Sequence, residues 1–371
     1  MGRDEIETRA SGVLNMSTLR VTAEVLTVHP HPNADALELA QVGLYRAVVA
    51  KGAYETGDAA VYIPEQAVLP LALVEELGLT GRLAGGNSDR VKAVRLRGEL
   101  SQGLVCVPRA LAGTDLVRAA AEGTDFAEAL GITKWVPPIP PTMSGDVEVA
   151  PDLLPWVDIE NLQRYPDIFE PGEPVVLTEK LHGTACLLTY GAEDGRVQVS
   201  SKGFGSKGLA LQEDPRNLYW RAVHGHGLAA VAERLAKRLG ARRVGLFGEV
   251  YGSGVQDLAY GADARSESVG YALFDVSAEI DGEVRWLDPA EVLEPGEVPV
   301  VPRLYTGPYD LDTVLAHASG RETVSGREAH LREGVVIRPV TERYSPVTGG
   351  RAIAKAVSPA YLTRKGATEY E

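Results

Sequence analysis

The sequence predicts an α+β protein with a small all-β N-terminal unit and a larger unit of antiparallel sheets flanked by helices. Three observations predict it. Residues 17–108 break into short apolar runs punctuated by Gly and Pro, the pattern of a small barrel or sandwich. A proline cluster at 137–141 cannot continue a helix or a central strand. Beyond it, longer apolar strands surround one amphipathic stretch at 228–240. A chain of 371 residues accommodates two such domains.

The elements follow in order. Residues 1–15, MGRDEIETRASGVLN, have no apolar h-region, so they are not a secretory signal. They read as a disordered extension or the product of an early start, with Met16 as the alternative first residue. Residues 16–135 form the first domain. STLRVTAEVLTVHPHP, NADALELAQVG, YRAVVAKG, AAVYIPEQAVLP, RVKAVRLRG and SQGLVCVP are its strand segments. The stretch HPNADALEL from His31 resembles the start of OB-fold domains that bind tRNA, which implies an OB-like barrel. Residues 113–130 read as a helix. Residues 136–148 form a Pro-rich linker, and 149–371 the second domain. EPVVLTEKLHGTACLLTYG reads as strand, tight turn, strand, with Lys180 near the turn and Gly183 permitting close backbone approach. The helix at 228–240 ends at Gly240. Strands RRVGLFGEVYG, VGYALFDVSAEI, GEVRWL, EGVVIRPV and RAIAKAV complete the chain.

A net charge of −14 argues against a non-specific nucleic-acid coat, although a local basic groove is compatible with it. No apolar run reaches eighteen residues, so no membrane span is expected. Cys106 and Cys186 sit inside apolar runs and read as buried free thiols of a reducing cytoplasm. His29/His31 and His224/His226 have metal-like spacing without a third ligand nearby, so they read as loop histidines. GRLAGGNSDRVKAVRLRG sets Arg82, Arg90, Lys92, Arg95 and Arg97 against Asp89 alone. That local excess fits either a phosphate backbone or a plain solvated strand face.

The chemistry-bearing motifs are Glu179-Lys180-Leu181-His182-Gly183, Ser201-Lys202-Gly203, Phe247-Gly248-Glu249, Phe274-Asp275, Glu333-Gly334-Val335-Val336-Ile337-Arg338 and Lys355. A lysine nucleophile needs desolvation or positive neighbours to lose its proton, and Lys202, Arg338, Lys355 and a bound metal could supply that charge near Lys180. Glu249 and Glu333, on glycine-flanked strands, could hold a divalent metal, its waters or a ribose hydroxyl. The glycine-rich SKGFGSKG run reads as a phosphate cradle or a flexible hairpin loop.

This ordered set resembles the covalent nucleotidyltransferase superfamily of polynucleotide ligases and mRNA capping enzymes. The resemblance implies that Lys180 takes AMP from ATP with Mg²⁺ or Mn²⁺. It implies nucleotide contacts at Glu179, His182, Gly183, Lys202, Glu249, Phe274, Glu333, Arg338 and Lys355. Glu333 would organise the metal and Glu249 bind ribose or metal. Phe274 would stack on the base, with Tyr271 as fallback. His182 stands where DNA ligases and capping enzymes usually carry aspartate. The chain ends sixteen residues past Lys355, short of a C-terminal barrel, and the OB-like unit leads instead. That arrangement is similar to the Deinococcus-type nick-sealing RNA ligases, and implies a cytoplasmic enzyme acting on nicked duplex RNA or an RNA/DNA hybrid, with no obligate protein partner evident. Two departures stand out: Arg338 where lysine is common, and Ile353-Ala354-Lys355 where related ligases often read K-x-K. The alternatives are a DNA ligase, a guanylyltransferase or a non-catalytic OB-type RNA-binding protein.

Overall fold

The computed structural model describes residues 19–261 and 269–368; the extension assigned to 1–15 lies outside them. The N-terminal unit carries β1 (Thr22–Val25), β2 (Thr27–Pro30), β3 (Leu37–Val42), β4 (Tyr45–Ala50), β5 (Ala59–Ile63) and β6 (Ala67–Val68). α1 (Leu71–Glu76), β7 (Val94–Leu96), β8 (Glu99–Ser101), β9 (Leu104–Cys106), α2 (Leu116–Glu122) and β10 (Thr133–Lys134) follow. The strands form short separate sheets, β1-β5-β9, β2-β3-β4, β7-β8 and β10-β6, so the expected barrel is not closed. Val21, Val61, Ile63 and Leu69 anchor one small core, and Leu26, Ala40, Val42 and Tyr62 another.

The helix expected over 113–130 is shorter. The Asp115 side chain caps it by accepting from the Arg118 amide at 3.0 Å. Gly123 ends it at φ +63°, a conformation that glycine adopts without steric cost.

The C-terminal unit contains β11 (Val147–Val149), β12 (Glu160–Asn161), β13 (Pro174–Lys180), β14 (Thr184–Gly191), β15 (Val197–Ser201), α3 (Lys202–Gly205) and β16 (Leu209–Leu211). α4 (Leu218–Gly225), α5 (Leu228–Leu239), β17 (Arg243–Tyr251), β18 (Gly270–Ile280), β19 (Glu283–Leu287), α6 (Pro289–Val292), β20 (Arg303–Pro308) and α7 (Leu311–Ala318) continue it. β21 (Gly334–Pro339), β22 (Tyr344–Ser345), β23 (Gly350–Arg351), β24 (Ala354–Val357) and α8 (Pro359–Leu362) close it.

Two sheets dominate: a seven-stranded one, β11-β16-β15-β14-β17-β18-β19, and a five-stranded one, β12-β24-β21-β13-β20. α5 lays Val231, Ala232 and Leu235 on the first sheet, against Leu188, Val244 and Val276. α7 covers the second through Val314 and Ala318. Among the described residues no helix is long and apolar enough to cross a membrane.

The proline-rich stretch is packed rather than free. Met143 is fully buried in the C-terminal core, and the Thr142 carbonyl accepts from the Leu218 amide at 2.8 Å. The SKGFGSKG run is also ordered, as helix α3 with Ser201 capping it, so it is no open hairpin loop.

The two units meet around Arg164. Its guanidinium donates to Glu24 and to Thr22 Oγ1 (2.8 Å) and lies 5.5 Å above the Tyr62 ring. The Leu44 amide donates to the Gln163 carbonyl at 2.8 Å. Burial opposes the Arg164 charge, but Glu24 outweighs it and holds the guanidinium above its ordinary pKa. Arg164→Met leaves Glu24 half-buried without its cation. The expected cost is about 1–3 kcal/mol in urea-induced unfolding, with faster proteolysis between the two units.

Candidate active site

The register of the five-stranded sheet assembles the site. β13 pairs antiparallel with β21 so that Lys180 faces Gly334, and β21 pairs with β24 so that Val336 faces Lys355. Three distant motifs thus share one sheet. Gly334 is there because a Cβ would fall 2.2 Å from the Ala356 carbonyl oxygen. The seven-stranded sheet supplies the rest: β14, β17 and β18 set Ala185, Glu249 and Ala272 in one row. Gly183 at the head of β14 has no room for a side chain, since a Cβ would sit 2.1 Å from the Val250 carbonyl oxygen.

Lys180 Nζ donates to Glu333 Oε1 at 2.6 Å. Burial would lower the lysine pKa, but Glu333 and Glu249 outweigh it and hold the ammonium above its usual value. Among the side chains around Lys180 the dominant influences are therefore acids, not the expected Lys202, Arg338 and Lys355. Lys355 is the lysine pushed down, to about 8, by burial and then by Lys180 and Lys202. Glu249 is pushed up to about 8, chiefly by burial and against the pull of Lys180.

Among the described residues no group of three or more His, Cys, Asp or Glu side chains gathers to hold a metal. Glu333 Oε2, however, is buried without a hydrogen-bond partner. An orphaned carboxylate oxygen beside a second carboxylate, Glu249, fits a hard cation that keeps waters or phosphate oxygens in its remaining positions.

Glu179 Oε2 accepts from the Thr323 amide (2.9 Å) and hydroxyl (2.6 Å), while its Oε1 is buried and unpartnered. Phe274 is half-buried, edge-on to Trp156 at 5.8 Å, and borders an apolar patch with Leu181, Ala272 and Val301. The fallback Tyr271 is excluded as a platform: it is fully buried in the main core, where a Cβ on Gly248 would strike its ring.

Other candidates take protein partners. Lys202 Nζ bonds Asp158 Oδ1 at 2.5 Å, and α3 leaves Lys207 exposed. Arg338 lies 3.1 Å from Asp288 and 3.7 Å from Asp275, so the anion expected from phosphate is supplied by the fold. His182 is buried, with Nε2 2.7 Å from Asp257 Oδ1 and Nδ1 2.8 Å from the Tyr361 hydroxyl. Both ring nitrogens thus have protein partners. Burial lowers its pKa, and those partners suit a neutral imidazole protonated at Nε2. Of the basic stretch, Arg82, Arg95 and Arg97 are exposed, while Arg90 lies 3.8 Å over the Trp135 ring and Lys92 is half-buried. The paired histidines have non-metal partners: Gln41 for His29, the Leu96 carbonyl for His31, Glu213 for His224 and the Val269 carbonyl for His226. Cys106 and Cys186 are buried and free, each pushed up to about 12 by burial.

Asp257, Tyr361, Arg364, Asp158 and Thr323 escaped the sequence reading. Each sits outside the glycine-flanked motifs, and only the fold brings them to Lys180, His182, Lys202 or Glu179.

An OB-fold domain ahead of a two-sheet nucleotidyltransferase domain, with a lysine between two carboxylates, defines the class of protein. Residues 173–357 match the RNA ligase family model, and residues 19–108 an OB-fold domain model. The C-terminal domain is accordingly a nucleotidyltransferase domain of the RNA ligase family. No curated protein matches the chain. Among solved structures, a lysine-to-alanine variant of an RNA ligase from Naegleria gruberi with ATP and Mn is 25% identical. Its TM-score is 0.74, over 92% of this chain and 98% of that one. The same ligase with PPi aligns at TM-score 0.73 and 25% identity, over 92% and 97% of the two chains.

The Glu249 environment yields a pH prediction. Its carboxyl keeps its proton to about pH 8 when folded but releases it near 4.5 when unfolded. Between those values folding takes up a proton, so this residue's contribution falls as pH rises and levels off above about 8. Glu249→Gln removes the dependence. The variant's Tm, measured without ligand, is expected to drop less than that of the wild type between pH 5 and 8.

Proposed function

We propose that the chain is an ATP-dependent RNA ligase that seals 3′-OH/5′-phosphate nicks through a lysyl-AMP intermediate. The observation that carries this reading is Lys180 Nζ held at 2.6 Å from Glu333, beside Glu249 and Lys355. Support also comes from the family of the C-terminal domain and from Naegleria ligase structures holding ATP and Mn.

Three displacements at phosphorus would run in sequence. Lys180 Nζ loses a proton and forms a bond to the α-phosphorus of ATP, and pyrophosphate leaves with the electron pair of the broken P–O bond. The 5′-phosphate of the nick then attacks the lysyl-AMP phosphorus, freeing the lysine and leaving an adenylated 5′ end. Finally the 3′-OH attacks the 5′-phosphorus and AMP departs. Glu333 and Glu249 would hold a divalent cation, which when bound neutralises phosphate charge and offsets the carboxylates that keep Lys180 protonated. Lys355 would pair with phosphate oxygens, whose negative charge would offset the burial and like charges that depress its pKa in the empty site. Phe274 would face the base, and Glu179 Oε1 could accept from an exocyclic amine. The exposed Arg82, Arg95 and Arg97 would contact the duplex backbone, RNA or RNA/DNA hybrid. The buried free thiols fit a reducing cytoplasm.

Intact mass after incubation with ATP and Mg²⁺ or Mn²⁺ tests the reading. The wild type is expected to gain one AMP and Lys180→Ala none. Adduct from GTP but not ATP would favour a guanylyltransferase, and no adduct with either would leave an RNA-binding protein. Phe274→Ala should lower the apparent affinity for ATP by about tenfold, the scale of one lost stacking contact, measured as the ATP dependence of adduct formation.

A further inference from the structure

The Lys180–Gly183 turn has little regular structure to hold it, yet the nucleophile sits at one end. The chain just after Lys355 does that work. The Ser358 amide donates to the Glu333 carbonyl at 2.8 Å. Tyr361, buried in α8, donates its hydroxyl to His182 Nδ1 at 2.8 Å, its ring edge-on to the imidazole. Arg364 stacks 3.7 Å over the Tyr361 ring and bonds both oxygens of Asp257 at 2.9 Å. The Thr368 amide adds a 2.9 Å bond to Asp257. Burial would raise the Asp257 pKa, but these bonds outweigh it and hold the carboxyl well below its usual range.

Asp257 in turn grips His182, and its neighbour Gln256 donates to the Gly183 carbonyl at 3.1 Å. Tyr260 accepts from the His182 amide at 2.6 Å. The two residues that close the turn are therefore fixed from outside it, through a segment that also holds the backbone of Glu333.

We infer that residues 358–368 form a positioning strap for the Lys180 nucleophile, acting through His182 and Asp257. The inference rests on the proposed lysyl-AMP chemistry. None of Tyr361, Arg364 or Asp257 is assigned a contact with the nucleotide. Their effect is to set where Nζ stands relative to Glu333, and an ångström of misplacement in such a site costs up to about 10²-fold in rate.

The strap governs steps at the lysine nitrogen and spares the closing step, in which a pre-adenylated 5′ end needs no lysine nucleophile. Full-length Tyr361→Phe, Asp257→Asn and His182→Gln are compared with the wild type in three measurements. These are single-turnover lysyl-AMP formation, sealing of a nick bearing a chemically adenylated 5′ end, and Tm. Tyr361→Phe keeps the ring and removes only the hydroxyl. It is expected to slow lysyl-AMP formation about tenfold or more, with the half-saturating ATP concentration within about threefold. Sealing of the adenylated nick stays within about twofold, and Tyr361→Phe adds little to His182→Gln, because both break the same link.

Unchanged lysyl-AMP formation in Tyr361→Phe and Asp257→Asn overturns the strap. Equal loss of both steps, with a lowered Tm, also overturns it and leaves a purely structural tail. A wild type that forms no lysyl-AMP overturns the proposed function instead, and the strap with it.

Discussion

The ion pair between Lys180 and Glu333 is the contact around which the site is arranged. It links two strands whose register is fixed by close packing, since Gly334 opposite Lys180 leaves no space for a side chain. A one-residue slip of β21 would turn Val335 and Ile337 out of the apolar core and take Glu333 away from the lysine. Burial of the five-stranded sheet thus sets the chemical geometry, and the catalytic arrangement is tied to the same apolar contacts that stabilise the domain.

The charges around this pair are sorted by depth. Glu249 and Lys355 are both displaced toward their neutral forms, because burial charges a high cost for isolated ions. Lys180 keeps its proton because Glu333 lies 2.6 Å from it. Farther out, Arg338, Asp275, Arg351 and Glu342 satisfy one another, with Arg351 also 4.0 Å over the Trp286 ring. A spent network beside an unspent one is what a binding cleft requires: rigid walls, and a centre whose polar atoms await a partner.

Much of this was legible in the sequence. The strand–turn–strand around Lys180, the helix that ends at Gly240 and the buried thiols follow from period, glycine placement and apolar flanks, all local signals. Glu333 and Lys355 were readable because each lies in a short strand motif. His182 was not. Its partners Asp257, Tyr361 and Arg364 lie 75, 179 and 182 positions away and carry no pattern of their own. The same holds for Arg338, whose acids come from β18 and from the cap of α6. The barrel expectation exceeded the outcome because strands of two to six residues pair in small sheets without closing. Arg164 belongs to no motif, and it joins the units because Glu24 and Thr22 arrive beside it only on folding.

The protonated state of Lys180 has a consequence for selectivity toward small reactive molecules. A surface amine slowly accumulates damage from acyl phosphates, aldehydes and isocyanate, all of which require the free base. Lys180 is only one-quarter exposed and is held above its ordinary pKa by Glu333 and Glu249. In the empty protein its free-base fraction at neutral pH lies below that of an ordinary surface lysine, which slows its reaction with stray electrophiles. That restraint eases when those acids are engaged elsewhere, so reactivity is greater when a partner for the carboxylates is in place.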